Sequence, residues 1–152
     1  MSYKRFAFEG NTHESLECVP LTVRRKLDLV GLKISLAGWQ TLSRAERLAL
    51  CHLPVDAPGE IDVYREVFQD FAARANVPLS PLPSEASDRT QWNGPVPPAG
   101  VQARLDAMGF VLQPSQWTAL DEESRYALMK MAEPKRDERK FSWVLQELGL
   151  LP

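Results

Sequence analysis

The sequence predicts an all-α domain that is internally duplicated, with two three-helix halves related by pseudo-two-fold symmetry. Three observations predict it. The segment Val23–Leu53 recurs 78 positions later as Val101–Met131 without a gap, and nine of the 31 pairs are identical, where average residue usage gives roughly two. Apolar residues inside each copy recur at helical spacing. Six prolines between positions 78 and 98 separate the copies. The expected organisation is a single domain, 1–152, with repeats 20–75 and 98–150 joined by a Pro-rich crossover, 76–97.

The elements follow in order. Pro20 and Pro98 stand where proline suits a helix start. Val23, Leu27 and Val30, and likewise Val101, Leu105 and Met108, form an i, i+4, i+7 stripe. Gly31 and Gly109 lie just past it, where a left-handed C-cap favours a residue without Cβ. Leu32, Ile34 and Leu36 alternate like a short strand, as Phe110 and Leu112 begin to do until Pro114 intervenes. A two-strand contact between the two loops, with Ile34 beside Leu112, is expected. Ser43-Arg44-Ala45-Glu46 is a capping box, and Asp121 is an N-cap followed by Glu122 and Glu123. Ile61, Tyr64, Phe68, Phe71 and Ala72 give the third helix its apolar face, matched in the second half by Phe141, Val144, Leu145 and Leu148. The proline density of the crossover argues against regular helix or sheet there, and Trp92 is expected to pin it down.

Composition narrows the function classes. With 18 Lys and Arg against 20 Asp and Glu, the net charge of −2 gives no general attraction to nucleic acid or to anionic membranes. No run approaches the ~20 apolar residues of a membrane helix. The start, MSYKRFAFEG, has no apolar signal core, so a cytoplasmic location is expected. In that compartment Cys18 and Cys51 are expected to be free thiols. The helix-to-helix loops lack the carboxylates of a calcium hand. The stretch from Gly31 to Leu42 is too long for the ~3–4-residue turn of a helix-turn-helix DNA reader. His13 lies near Glu9, Glu14 and Cys18 without a known ligand spacing, so no metal, cofactor or catalytic set is assigned.

Two constellations remain. Asp28 and Arg47 recur as Asp106 and Arg125, and each couple is expected to be a structural ion pair or a cap that holds a helical hairpin. Arg24, Arg25, Lys26 and Lys33 form a basic cluster present only in the first copy, where positions 102, 103 and 111 are Gln, Ala and Val. That asymmetry makes the four residues the candidate contact surface for an acidic partner or a small anion. The heads of Arg24 and Arg25 are expected to reach solvent while their stems pack, and Lys33 to point opposite to Leu32 and Ile34.

FAFEG, SLECVPLTVRRKLDLVGLKISLAGWQTLSRAERLAL, EIDVYREVFQ and SRYALMKM resemble the nitrate reductase associated protein family, over nearly the whole chain from Phe6 to about Leu148. The stretch from Cys18 to Trp39 is the most specific part. The resemblance implies a small cytosolic protein of unknown biochemical activity, with no established catalytic residues. The family takes its name from gene neighbourhoods with nitrate assimilation enzymes. Members often carry Cys after the Leu53-Pro54 dipeptide, where this chain has Val55. They also tend to carry His and Asn where it reads PKRDERKF. The leading expectation is therefore a non-enzymatic accessory or interaction protein, with nitrate reductase or its maturation machinery as partner. A small-anion or ligand-sensing binding protein is the alternative. An enzyme of unknown type stands third.

Overall fold

Ten α-helices, two short 3-10 helices (Ala7–Glu9 and Ser84–Ser87) and one two-residue strand pair make up the regular structure of residues 3–151, the part of the chain that the computed structural model describes. They belong to two compact units. Among the described residues one comprises 3–5 and Glu9–Asp88, the other Phe6–Phe8 and 89–151.

The first unit holds α1 (Thr12–Ser15), α2 (Leu21–Val30), α3 (Leu36–Thr41), α4 (Arg44–His52) and α5 (Glu60–Arg74), with strands β1 (Leu32–Lys33) and β2 (Ser80–Pro81). Pro20 stands at the N-cap of α2 and Gly31 closes it at φ 78°, its N–H shared between the Leu27 and Asp28 carbonyls. A residue with Cβ is disfavoured there. The Ser43–Glu46 capping box forms as the sequence predicts and starts α4. Tyr64, Phe68 and Ala72 supply the buried face of α5.

The second unit holds α6 (Thr90–Asn93), α7 (Ala99–Ala107), α8 (Pro114–Ala119), α9 (Glu122–Met131) and α10 (Glu138–Glu147). Asp121 caps α9 by accepting from Ser124 N at 2.7 Å. Trp92 of α6 is fully buried, edge-on to Tyr126 of α9 at 5.0 Å. Arg89 and Glu122 pair at 2.7 Å beside them. Helix bounds keep the 78-residue spacing: α3 and α8 occupy equivalent positions, and α4 and α9 begin at equivalent ones. Each half thus carries a short helix that the three-helix expectation lacks, at Trp39 and at Trp117.

The strand expectations need correction. The alternation at Leu32, Ile34 and Leu36 yields strand only over Leu32–Lys33. Ser35 then accepts a hydrogen bond from Gly38 N and turns the chain into α3. The partner of β1 is not the second loop around Leu112 but the crossover, antiparallel, with Leu32 opposite Pro81 and Lys33 opposite Ser80. The Pro-rich stretch therefore carries regular structure: β2, a 3-10 turn at Ser84–Ser87 and α6. Pro81 is tolerated because a two-residue edge strand asks for few ladder donors. Leu82 N donates to Gly31 O at 2.9 Å and Ser87 Oγ to Asp28 O at 2.8 Å, which fasten this part of the crossover to the end of α2.

The recurrent arginines donate to the C-cap carbonyls of the preceding short helices. Arg47 donates to the Leu16 carbonyl at 2.6 Å and to the Leu42 carbonyl at 3.1 Å, not to Asp28. Arg125 donates to the Leu120 carbonyl at 3.0 Å and to the Asn93 side chain, not to Asp106. Asp106 is exposed and accepts from Gln102 at 2.9 Å. Leu42 and Leu120 follow directly on the short helices, where orphan carbonyls gather, and a forked guanidinium satisfies such groups well. The recurrent tryptophans act alike: Trp39 Nε1 donates to Leu16 O at 2.8 Å and Trp117 Nε1 to Gly94 O at 3.0 Å. Both indoles are fully buried.

Candidate functional site

The structure divides the four basic residues. Helix α2 is buried on most of its circumference, and that includes Arg25, 3% exposed, and Lys26, 5% exposed. Lys26 Nζ donates to the Cys51 carbonyl at 2.6 Å and lies 6.0 Å from the Tyr64 ring centre. Arg25 meets Asp56 at 3.7 Å. Arg24 and Lys33 are exposed, Lys33 within β1. The four therefore do not share one solvent-facing patch. A stripe at helical spacing defines one narrow face, whereas α2 packs against α4, α5 and the crossover turn, so its flanks are covered as well.

What gathers around α2 is a closed polar cluster. Tyr64 is buried and donates its hydroxyl to the Leu50 carbonyl at 2.7 Å; burial, then the nearby Cys51, holds its phenol well above the ordinary value. Burial pushes the Cys51 thiol up to about 11, against the opposing influence of Tyr3, Lys26 and Arg5. At neutral pH that thiol keeps its proton and is a poor nucleophile. Tyr3 stands edge-on to His52 at 4.8 Å, with the Arg5 guanidinium 4.8 Å from its ring centre; burial, then Cys51, raises its pKa as well. Glu9 completes the arrangement. One of its oxygens meets His13 Nε2 at 3.0 Å and the other accepts from Leu21 N, also at 3.0 Å, at the first residue of α2. Sequence reasoning missed this clamp because the residues joining Glu9 to Leu21 carry no motif. Lys26 and Tyr64 end on carbonyls of α4, and Leu21 N and His13 on the Glu9 carboxylate, so these bonds tie α2, α4, α5 and the N-terminal stretch together.

The accessible feature lies beside it. Between the end of α4 and the start of α5 lies an open cleft of about 300 Å³, lined by Leu53, Pro54, Pro58, Gly59, Glu60, Val63 and Tyr64. Its loop is held in shape. Glu60 accepts from Asp56 N at 2.9 Å and from Ala57 N at 2.6 Å, and two prolines fix their own φ. Val63 is 56% exposed. The signal available in the sequence was an apolar residue on the polar face of α5, next to a loop with two prolines.

No described helix is long and apolar enough to cross a membrane. The model of the conserved nitrate reductase-associated protein family matches residues 5–148. No match was found among curated proteins or among solved structures.

Proposed function

The chain belongs to the conserved nitrate reductase-associated protein family, and from that premise we propose that it is a non-enzymatic accessory protein that binds a protein of nitrate assimilation in the cytoplasm. The partner proposed is nitrate reductase or a component of its maturation machinery. The observation that carries this reading is the contrast within the first unit: Lys26 and Tyr64 turn inward onto backbone carbonyls, while the cleft open to solvent is mostly apolar and preshaped. Surfaces of that kind suit protein recognition. The anion-sensing alternative loses its proposed surface, because Arg25 and Lys26 are buried within the unit. We further propose that the two halves descend from one duplicated unit. The 78-residue offset of the helix bounds supports this, as do the Trp39/Trp117 and Arg47/Arg125 hydrogen bonds to carbonyls.

The test is affinity capture with the tagged chain from nitrate-grown cells, with retained proteins identified by mass spectrometry. Reductase subunits or maturation factors are expected, and fewer of them from ammonium-grown cells. Retention of neither under nitrate removes the proposal.

A further inference from the structure

We infer that the α4–α5 cleft is the docking site for a short partner segment in which an apolar anchor side chain is flanked by lysine or arginine. The inference rests on the accessory reading and names the part of the surface that performs it. Size is the first argument. A volume of about 300 Å³ is at the lower limit of small-molecule sites, about 300–1,000 Å³. The opening toward solvent suits a side chain inserted from a larger body rather than an enclosed ligand.

Charge is the second. From Leu53 to Arg74 the chain has five carboxylates and two arginines, Arg65 paired with Asp62 and Arg74 with Asp70 at 2.8 Å each, a local excess still larger than the net −2 of the whole protein. Asp56 and Asp62 present side chains that are 67% and 82% exposed. Asp62, Glu66 and Asp70 recur every four residues, which sets them along one side of α5 next to Val63. A partner segment with cations beside its anchor meets this field favourably. The field gives rate and specificity, and the apolar contact gives residence. Preorganisation is the third argument. Glu60 ties the loop to itself through Asp56 N and Ala57 N, so little ordering is left for the moment of binding.

The experiment uses fluorescence anisotropy of three labelled heptapeptides with the full chain: Lys-Lys-Leu-Trp-Leu-Lys-Lys, the same with Ser at the three central positions, and the same with Glu for every Lys. The first is expected to bind at low salt and to weaken with added salt. Both control peptides are expected to bind at least tenfold more weakly. Val63→Asn is expected to weaken the first peptide at least tenfold at all salt concentrations. Glu66→Lys is expected to do so at low salt and less at high salt. Both positions are exposed, and an unchanged melting temperature confirms that the variants fold. Equal binding of the serine peptide, unchanged binding by both variants, or no binding of the first peptide overturns the inference. So does sedimentation showing that the wild-type chain self-associates and that Val63→Asn makes it monomeric, for the occupant is then a second copy. Repeating the cell capture with Val63→Asn separates the two claims. Reductase retained by both forms leaves the accessory reading standing and removes the cleft; peptide binding without retention of any nitrate protein does the reverse.

Discussion

The Leu16 carbonyl offers a test of how the first unit is held together. Leu16 is fully buried with φ 52°, and its carbonyl receives both Trp39 Nε1 at 2.8 Å and Arg47 at 2.6 Å. Replacing Arg47 by Met keeps most of the stem and removes a charged donor. Such bonds contribute about 1.5–3 kcal/mol each, so a loss of about 2–3 kcal/mol is expected, with Leu16 O still held by the indole. Trp39→Phe removes a neutral bond of about 0.5–1.5 kcal/mol, with an added cavity cost. Only the double variant strips the carbonyl of both side-chain donors, and a buried unsatisfied acceptor costs about 1–3 kcal/mol more. The double-mutant cycle should therefore show a coupling of about 1–2 kcal/mol beyond additivity, in which the cavity contribution cancels. Urea unfolding followed by far-ultraviolet circular dichroism measures it. In the second unit the equivalent donors diverge, Trp117 to Gly94 O and Arg125 to Leu120 O and the Asn93 side chain. Trp117→Phe with Arg125→Met should accordingly add to within about 0.5 kcal/mol. Additive behaviour of the Trp39 and Arg47 variants, or an Arg47→Met cost below about 0.5 kcal/mol, refutes the shared-acceptor reasoning.

Three further outcomes follow from the same unit. In the native chain at pH 8, Ellman's reagent should modify exposed Cys18 and leave buried Cys51 untouched until the protein unfolds; comparable labelling rates would contradict the burial. Because the folded state holds the Cys51 proton to about 11 against an ordinary 9.0, the unfolded chain ionises first. Stability should thus be full below about pH 9, fall between pH 9 and 11, and fall less in Cys51→Ala. Gly38→Ala places a Cβ 2.6 Å from Val77 Cγ1 and 3.1 Å from Ile34 Cγ1, an overpacking worth about 1–3 kcal/mol. The melting temperature should drop by at least about 2 °C, and an unchanged value would mean that Val77 yields freely.

Local chemistry was legible in the sequence wherever one residue decides one bond. Ser43 with Glu46, Asp121 and Gly31 announce helix ends because their geometry is set within four residues. Trp39, Trp117, Arg47 and Arg125 were legible as structural residues, but their partners were not. A recurrent acid near a recurrent base suggests an ion pair, whereas the acceptors here are backbone carbonyls, which every residue possesses and which no letter marks. The strand at Leu32 was visible and its mate was not, since pairing with Ser80–Pro81 is set by where the crossover lies. The basic cluster failed for a related reason. Helical periodicity says which residues share a side, not how many sides a helix buries, and α2 buries nearly all of them. The cleft was unreadable because it is made by the angle between two helices and the stiffness of the loop that joins them.

The three-residue stretch Phe6–Phe8 carries a consequence for biosynthesis. It belongs to the second unit, where Ala7 N and Phe8 N donate to the Glu147 carboxylate, 140 and 139 positions further along the chain, and where Phe6 is 2% exposed. A ribosome makes this stretch about 140 residues before its partner, so at about 5–20 residues per second it waits roughly 7–30 s for its acceptor. Throughout that interval Tyr3, Glu9 and α2 can already assemble the first unit on either side of it, leaving an apolar loop looped out and unsatisfied. The second unit therefore closes only once Glu147 has been made, and until then Phe6 stays in water.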